Sequence, residues 1–168
     1  MKNDYVKTLL YAYAHLPKII KRLDQIVLKK ALGSMKDFSS CTKQCEKIVG
    51  LTIQKALLVE LNHYLERAIS RLTKEEMDML DYRYFGTYHS QSPFNISTYS
   101  RNYYRKQQKL LKDISDNLRW LGKRDDWFEK RCLRVPFIRK LYQAVKKKDE
   151  RFLIEGLSRW NYKSKMVA

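Results

Sequence analysis

Glycine and proline are scarce in this chain, five and three in 168 residues. So few turn-formers do not supply the many tight reversals of a β-sandwich or barrel. No apolar run approaches about 18 residues, so no membrane-spanning helix is expected. The N-terminal MKNDYVKTLLYAYAHLPK lacks a long apolar stretch before a small-residue cleavage site, so no secretory signal is expected. Cysteine is limited to three residues, Cys41, Cys45 and Cys132. An odd count without a framework points to a reducing compartment, and the expected location is the cytoplasm. Cys41 and Cys45 stand four apart, with no further ligand spaced for a metal, and read as small helix-packing residues. Acidic residues are also short, 18 against 35 basic ones, for a formal charge of +17. That excess is more than solubility needs and favours a polyanionic partner, with anionic membrane surface well behind phosphate.

What the chain does have is apolar residues at helical spacing. They make up 44% of it, enough for a core. Tyr5, Leu9, Ala12 and Tyr13 predict a helix over 4–14. Pro17 ends or kinks that helix and can open the next as its first residue. The second helix carries Ile19, Ile20, Leu23, Ile26 and Val27 to about Leu32, where Gly33-Ser34 punctuates it. A long helix over 42–72 has two apolar stripes. The stronger is Ile53, Leu57, Leu61, Tyr64, Leu65, Ala68 and Leu72; the second is Ile48, Leu51, Leu58 and Ile69. Two faces suggest a helix packed on both sides, central to the domain. Gly50 is a possible break, and a coiled-coil dimer is the competing reading. Monomer and homodimer stay open.

Thr73-Lys74-Glu75-Glu76 is a capping box opening a further helix, with Met77, Leu80 and Tyr84 facing one way. Gly86 is a natural stop. Residues 87–97 are polar, contain Pro93 and read as a loop, with at most a short turn around Phe94 to Ile96. The helical period returns over 100–121. At 100° per residue, Tyr103, Gln107, Leu110, Leu111, Ile114, Leu118 and Leu121 share one side, and Gly122 ends the helix. Beyond it, Asp125 or Asp126 is expected to cap a helix at Trp127 and Phe128. Pro136 begins another helix with Phe137, Ile138, Leu141 and Tyr142, which Phe152, Leu153 and Leu157 extend. Residues 161–168 read as a frayed tail. The expected fold class is all-α, a helical bundle with a long central helix. Its expected divisions are an N-terminal helical region over 1–71, a middle unit over 72–122 and a basic helical extension over 123–168.

Between Tyr82 and Lys112 there are six basic residues and no acid. Arg101, Arg105, Lys109 and Lys112 fall within about 80° on the side opposite the apolar stripe, with Asn102 at the edge. Cations on one rigid helix neutralise phosphate and release its condensed counterions. Arg101, Asn102 and Arg105 occupy the first turns, which meet base edges if the helix enters a major groove N-terminus first. Arg suits guanine and Asn adenine, because each bonds bidentately. Lys106, Lys109, Lys112 and Tyr104 are the expected phosphate contacts. A second run over 130–148 holds eight basic residues and no acid. Its Arg134, Arg139 and Lys140 are a candidate extension of the phosphate track, or a solvated face. Tyr99, Tyr103 and Tyr104 flank the first cluster, and stacking on single-stranded bases is one use for them.

No catalytic constellation stands out. His15, His63 and His89 are far apart, and no phosphate loop, nucleophile elbow or HExxH motif is present. His63 reads as a hydrogen-bonded interior residue. Glu75, Glu76, Asp78 and Asp81 are accounted for by the helix dipole. No enzyme, metal or cofactor is expected.

LTKEEMDMLDYRYFG resembles the first helix of the sigma-factor region-four helix-turn-helix, in which "L-x-x-E-E…L…RYF-x-G" recurs. SRNYYRKQQKLLKDI resembles the recognition helix of small bacterial and phage-type sigma-like regulators. The resemblance covers under a third of the chain and implies a DNA-binding unit from about Leu72 to Leu121. It places Arg101, Asn102 and Arg105 toward bases and Arg83 and Lys109 toward the backbone. Where the family has a short bracing helix, this chain has Pro93 and a serine-rich stretch. The expected function is transcriptional regulation through duplex DNA. The alternatives are a helical adaptor for RNA polymerase or a sigma-like factor, and a non-specific nucleic-acid or RNA-binding protein.

Overall fold

The computed structural model describes residues 3–34, 41–85, 101–149 and 151–153, the side chains of Ser34 and Cys41 apart. Gly86, the stretch 87–97 with Pro93, Phe94 and Ile96, His89, Tyr99, Leu157 and the tail 161–168 lie outside the described residues. Every regular element among those described is helical: α1 (Asp4–Tyr13), α2 (Leu16–Ser34), α3 (Cys41–Ile69), α4 (Lys74–Leu80), α5 (Arg101–Trp120), α6 (Asp125–Lys130) and α7 (Pro136–Lys146). A π-helical turn, Asp81–Phe85, extends α4, and a 3-10 turn, Cys132–Arg134, precedes α7.

α1 is the innermost helix. Seven of its ten residues are apolar or tyrosine, and a helix so rich in them needs neighbours on more than one side. Val6, Leu9, Leu10 and Ala12 have no exposed surface, and α1 touches α2, α3, α5, α7 and the π turn. Thr8 is buried with them. Its hydroxyl donates to the Asp4 carbonyl at 2.7 Å, which satisfies it within its own helix.

α2 and α3 pack along each other, and with only 35–40 between them they run antiparallel. Ile19 and Leu23 meet the side of α3 that carries Leu51 and Leu58, and Lys55 Nζ lies 2.5 Å from Asp24 Oδ1. Pro17 is the second residue of α2, where its missing N–H costs nothing, and Gly33 and Ser34 complete the last turn of α2 instead of following it. α3 is continuous through Gly50. Its buried stripe in the N-terminal half is the one expected to be weaker. Leu51 and Leu58 are buried, whereas Ile53 is 57% exposed. The reason is that α2 covers only one side of α3 there. Further along, Leu61, Leu65, Ala68 and Ile69 are all buried, where α1 and α5 also reach α3.

The capping box at Thr73 forms in full. Thr73 Oγ1 accepts from the Glu76 N–H at 3.3 Å, and Glu76 Oε2 accepts from the Thr73 N–H at 3.1 Å. α4 and the π turn bury Met79, Leu80 and Tyr84, and Met77 is half-buried. Tyr84 meets Tyr11 edge-on at 4.9 Å, and Phe85 meets Tyr13 at 5.3 Å. α6 begins after Arg124, so Asp125 and Asp126 are its first residues and not its cap; they favour the helix through its dipole. Pro136 opens α7, which buries Phe137, Ile138, Leu141, Ala144 and Val145, chiefly on α1.

α7 does not run on into Phe152. Lys148 takes a left-handed φ of 54°, the Asp149 N–H reaches back to the Ala144 carbonyl at 2.9 Å, and a Schellman motif closes the helix. The Asp149 carboxylate then accepts from the Phe152 N–H at 3.1 Å and starts a new turn. Residues from Val6 to Leu153 form one hydrophobic cluster, to which the N-terminal, middle and C-terminal stretches all contribute.

Candidate nucleic-acid interface

α5 is fixed by its inner face and by both flanks. Tyr103, Leu110, Leu111, Ile114 and Leu118 are buried, as the 100° spacing predicts. On one flank Tyr5 Oη and Ser115 Oγ share a hydrogen bond of 2.9 Å with α1. On the other, Asn117 Nδ2 donates to the Ala68 carbonyl of α3 at 3.0 Å. The C-terminal end is a second Schellman motif. Gly122 sits at φ 76°, its N–H bonds the Arg119 carbonyl at 2.9 Å, and the Lys123 N–H bonds the Leu118 carbonyl at 2.8 Å. Lys123 then folds inward. Its ammonium lies 4.2 Å from the Tyr64 ring centroid, 5.3 Å from that of Trp127 and 3.6 Å from Glu60 Oε1.

The opposite face is open. Arg101, Asn102, Arg105, Lys109 and Lys112 are all exposed, and Tyr104 is 65% exposed. Tyr103, by contrast, is buried, and its hydroxyl accepts from Gln107 Nε2 at 2.9 Å. Burial pushes the Tyr103 phenol above its ordinary range, and the positive charge of Arg83 acts against that rise. Arg83 is exposed on the π turn. The structure thus sets Arg101, Asn102, Arg105, Lys109 and Lys112 on one exposed side of α5, with Tyr104 exposed at its border and Arg83 exposed on the π turn.

Lys106 departs from expectation. It is half-buried, and its ammonium is 2.5 Å from Glu75 Oε1 in the first turn of α4. The stretch between Tyr82 and Lys112 is free of acid in sequence, yet the fold brings a carboxylate to it from 31 residues away. The hydrogen bond and charge of Lys106, followed by the charge of Lys109, hold the Glu75 carboxyl below the usual glutamate range.

Arg119 is a basic residue that the sequence reading missed. It is exposed, and at 100° per residue it lies in the same sector as Arg105 and Lys112, each seven residues from the next. The period alone could have found it. Asp116, also exposed, interrupts the stripe between Lys112 and Arg119.

The extension over 130–148 is partly engaged with its own surroundings. Arg134 is exposed. Arg139 Nε donates to the Leu133 carbonyl at 3.0 Å, Lys140 Nζ lies 5.2 Å from the Phe152 ring, and Lys146 Nζ lies 4.4 Å from the Tyr142 ring.

Other candidates move as well. His63 is exposed beside Tyr64 and not interior, because it points away from the side of α3 that α1 and α5 cover. Cys45 is exposed, while Cys132 is buried and its thiol is pushed up to about 12 by that burial. Among the described residues, no group of three or more His, Cys, Asp or Glu side chains is placed to hold a metal ion, and no helix is long and apolar enough to cross a membrane. Comparison with family models, with curated proteins and with solved structures gave no match.

Proposed function

We propose that this chain is a duplex-DNA-binding regulator of transcription, with α5 as the helix that meets the duplex. The observation that supports it is the two-sidedness of α5. Tyr103, Leu110, Leu111, Ile114 and Leu118 are buried, while Arg101, Arg105, Lys109 and Lys112 are exposed together on the far side. A helix anchored in this way presents its cations without the entropy cost of ordering a loop. Lys109, Lys112, Arg83 and Tyr104 contact phosphates; Arg101, Asn102 and Arg105 face bases, as the resemblance to sigma region four implies. Lys106 is withdrawn from that set by Glu75.

With about six phosphates neutralised, the log–log salt slope of duplex binding is roughly −5. Selection from random duplexes at two salt concentrations tests the reading. An enriched site that survives the higher salt supports base reading. Binding without enrichment leaves a phosphate clamp, and a flat salt response removes α5 as the binding element. On an enriched site, Arg105→Ala costs on the order of 1–3 kcal/mol.

A second reading has its own observation. Leu28 and Leu32 on α2, and Val49 and Ile53 on α3, are each more than half exposed. Pairs four apart on two helices suit an adaptor that docks on RNA polymerase or another sigma-like factor. Co-purification with polymerase in high salt, without a shift of naked duplex, would select it.

A further inference from the structure

Trp120 is the last residue of α5, and 68% of it is exposed. Large aromatic rings seldom stand that open, because burying one is worth several kcal/mol. The guanidinium carbon of Arg71 lies 4.0 Å from the centroid of its ring. We propose that Trp120 and Arg71 form a stacking platform for an unpaired nucleobase of single-stranded DNA or RNA, at the C-terminal end of the α5 stripe.

The platform is held on both sides. Trp120 lies within the Schellman motif that closes at Gly122, so its backbone is fixed. Arg71 lies in the short turn between α3 and the capping box at Thr73. That turn is tied by the Leu72 N–H to the Ile69 carbonyl at 3.0 Å and by the Ser70 hydroxyl to the Arg67 carbonyl at 2.8 Å. The bond from Asn117 to the Ala68 carbonyl links the two elements one turn below. Arg71 covers one side of the indole, and the exposed remainder is left for a second flat group. An arginine–aromatic–base stack suits any base, because every base has a π-face.

The surroundings distinguish this ligand from a protein. A protein interface is organised around several apolar residues that exclude water together. Among the described residues the other large exposed apolar side chains are Leu28, Leu32, Val49, Ile53, Val59 and Tyr104, none close in sequence to Trp120 or Arg71. Trp120 is flanked instead by charge. Arg119 adjoins it, Arg67 and Arg124 are exposed nearby in sequence, and the exposed acids of the same stretches are Glu66, Asp116, Asp125 and Asp126. One flat ring with Arg71 over it and Arg119 next to it in sequence matches one base and its flanking phosphates. Lys112 is eight residues back on α5, about 12 Å along the axis, a span of two to four nucleotides. The platform stands on its own observation, and its test is readable whether or not α5 binds duplex.

The experiment measures binding of the full chain to three labelled probes at one salt concentration. They are an oligothymidine of about twelve nucleotides, an abasic strand of the same length and a blunt duplex. Trp120→Ala is expected to weaken oligothymidine binding roughly 5- to 150-fold, the range for loss of one base–aromatic stack. Trp120→Phe retains most of the affinity, Arg71→Ala falls between, and the duplex affinity of all three stays near that of the parent. Circular dichroism checks that each variant folds. The proposal is overturned if the parent binds the abasic strand as tightly as oligothymidine, or does not bind oligothymidine. It is equally overturned if Trp120→Ala leaves oligothymidine binding unchanged, or weakens duplex and single strand alike. Duplex binding that is lost on Arg105→Ala but kept on Trp120→Ala separates the two sites.

Discussion

The ammonium of Lys106 sits 2.5 Å from Glu75 Oε1 and joins α5 to the capped start of α4. Both side chains are substantially exposed, so the pair adds little to stability and acts mainly on position and charge. It reduces the free positive charge on the flank of α5 that faces α4, and leaves Arg105, Lys109 and Lys112 exposed on the middle turns.

Glu75 should titrate below an ordinary glutamate, because the charged form is favoured by Lys106 and then by Lys109. A depressed folded value means that the pair contributes above about pH 4.5 and that the contribution is lost as pH falls through the lower folded value. Carboxyl titration by NMR should find the midpoint low in the parent chain and moved up in Lys106→Met. An unmoved midpoint would mean that the pair is not populated in solution. Glu75→Gln should also free Lys106 for phosphate, steepening the salt slope of duplex binding by about 0.9.

Three positions separate helix interior from helix end. Gly50 lies inside continuous α3, and a Cβ there meets nothing within 4 Å. Gly50→Ala should therefore stabilise the fold by up to about 1 kcal/mol. Gly122 also has open space, but its φ of 76° penalises any L side chain, and Gly122→Ala should cost about 1–2 kcal/mol. Lys148 occupies the equivalent place at the end of α7 with φ 54°, so Lys148→Gly should gain on the order of 1 kcal/mol. Urea melts of the three variants test the set, and a loss at Gly50 would contradict the continuous α3.

His15 is half-buried between α1 and α2. Burial first, and the charge of Lys18 second, lower its pKa below 6.5. The folded state therefore resists protonation. Its contribution is full above about pH 6.5 and declines as pH falls through the lower folded value. Urea denaturation at pH 7.5 and pH 5 should show the parent losing more stability on acidification than His15→Gln. Equal losses would rule out His15 as a source of the pH dependence.

Thiol labelling should separate the cysteines by burial. Cys45 is exposed and should react readily at pH 8, whereas Cys132, buried and pushed up to about 12, should react only on unfolding. Peptide mapping after a short pulse of iodoacetamide reads both. Rapid labelling of Cys132 would mean that the packing around the 3-10 turn opens locally.

The parts legible in the sequence were those with a single strong period or a local chemical signal. α5 shows one apolar sector opposite one basic sector, and Leu110, Leu111, Ile114 and Leu118 are buried as that pattern requires. The Thr73 box and the Gly122 stop are local motifs, and both form. α3 was ambiguous because two stripes compete and the period does not say which one a neighbour covers. Leu51 and Leu58 are buried at Ile53's expense. The Lys106–Glu75 pair needed the fold, since nothing along the chain links the two residues. α1 was underestimated for a similar reason. A short helix with a run of apolar residues looks unremarkable until five elements are seen to close on it.

That arrangement has a consequence for biosynthesis. α1 is synthesised well before the surfaces that cover it; Tyr5 bonds a hydroxyl 110 residues away, and α7 comes later still. Until those partners are synthesised, Val6, Leu9 and Leu10 remain wetted and adhesive. The core therefore closes only once α7 has been made, and a chain cut short before α7 is expected to need a chaperone to stay out of aggregates.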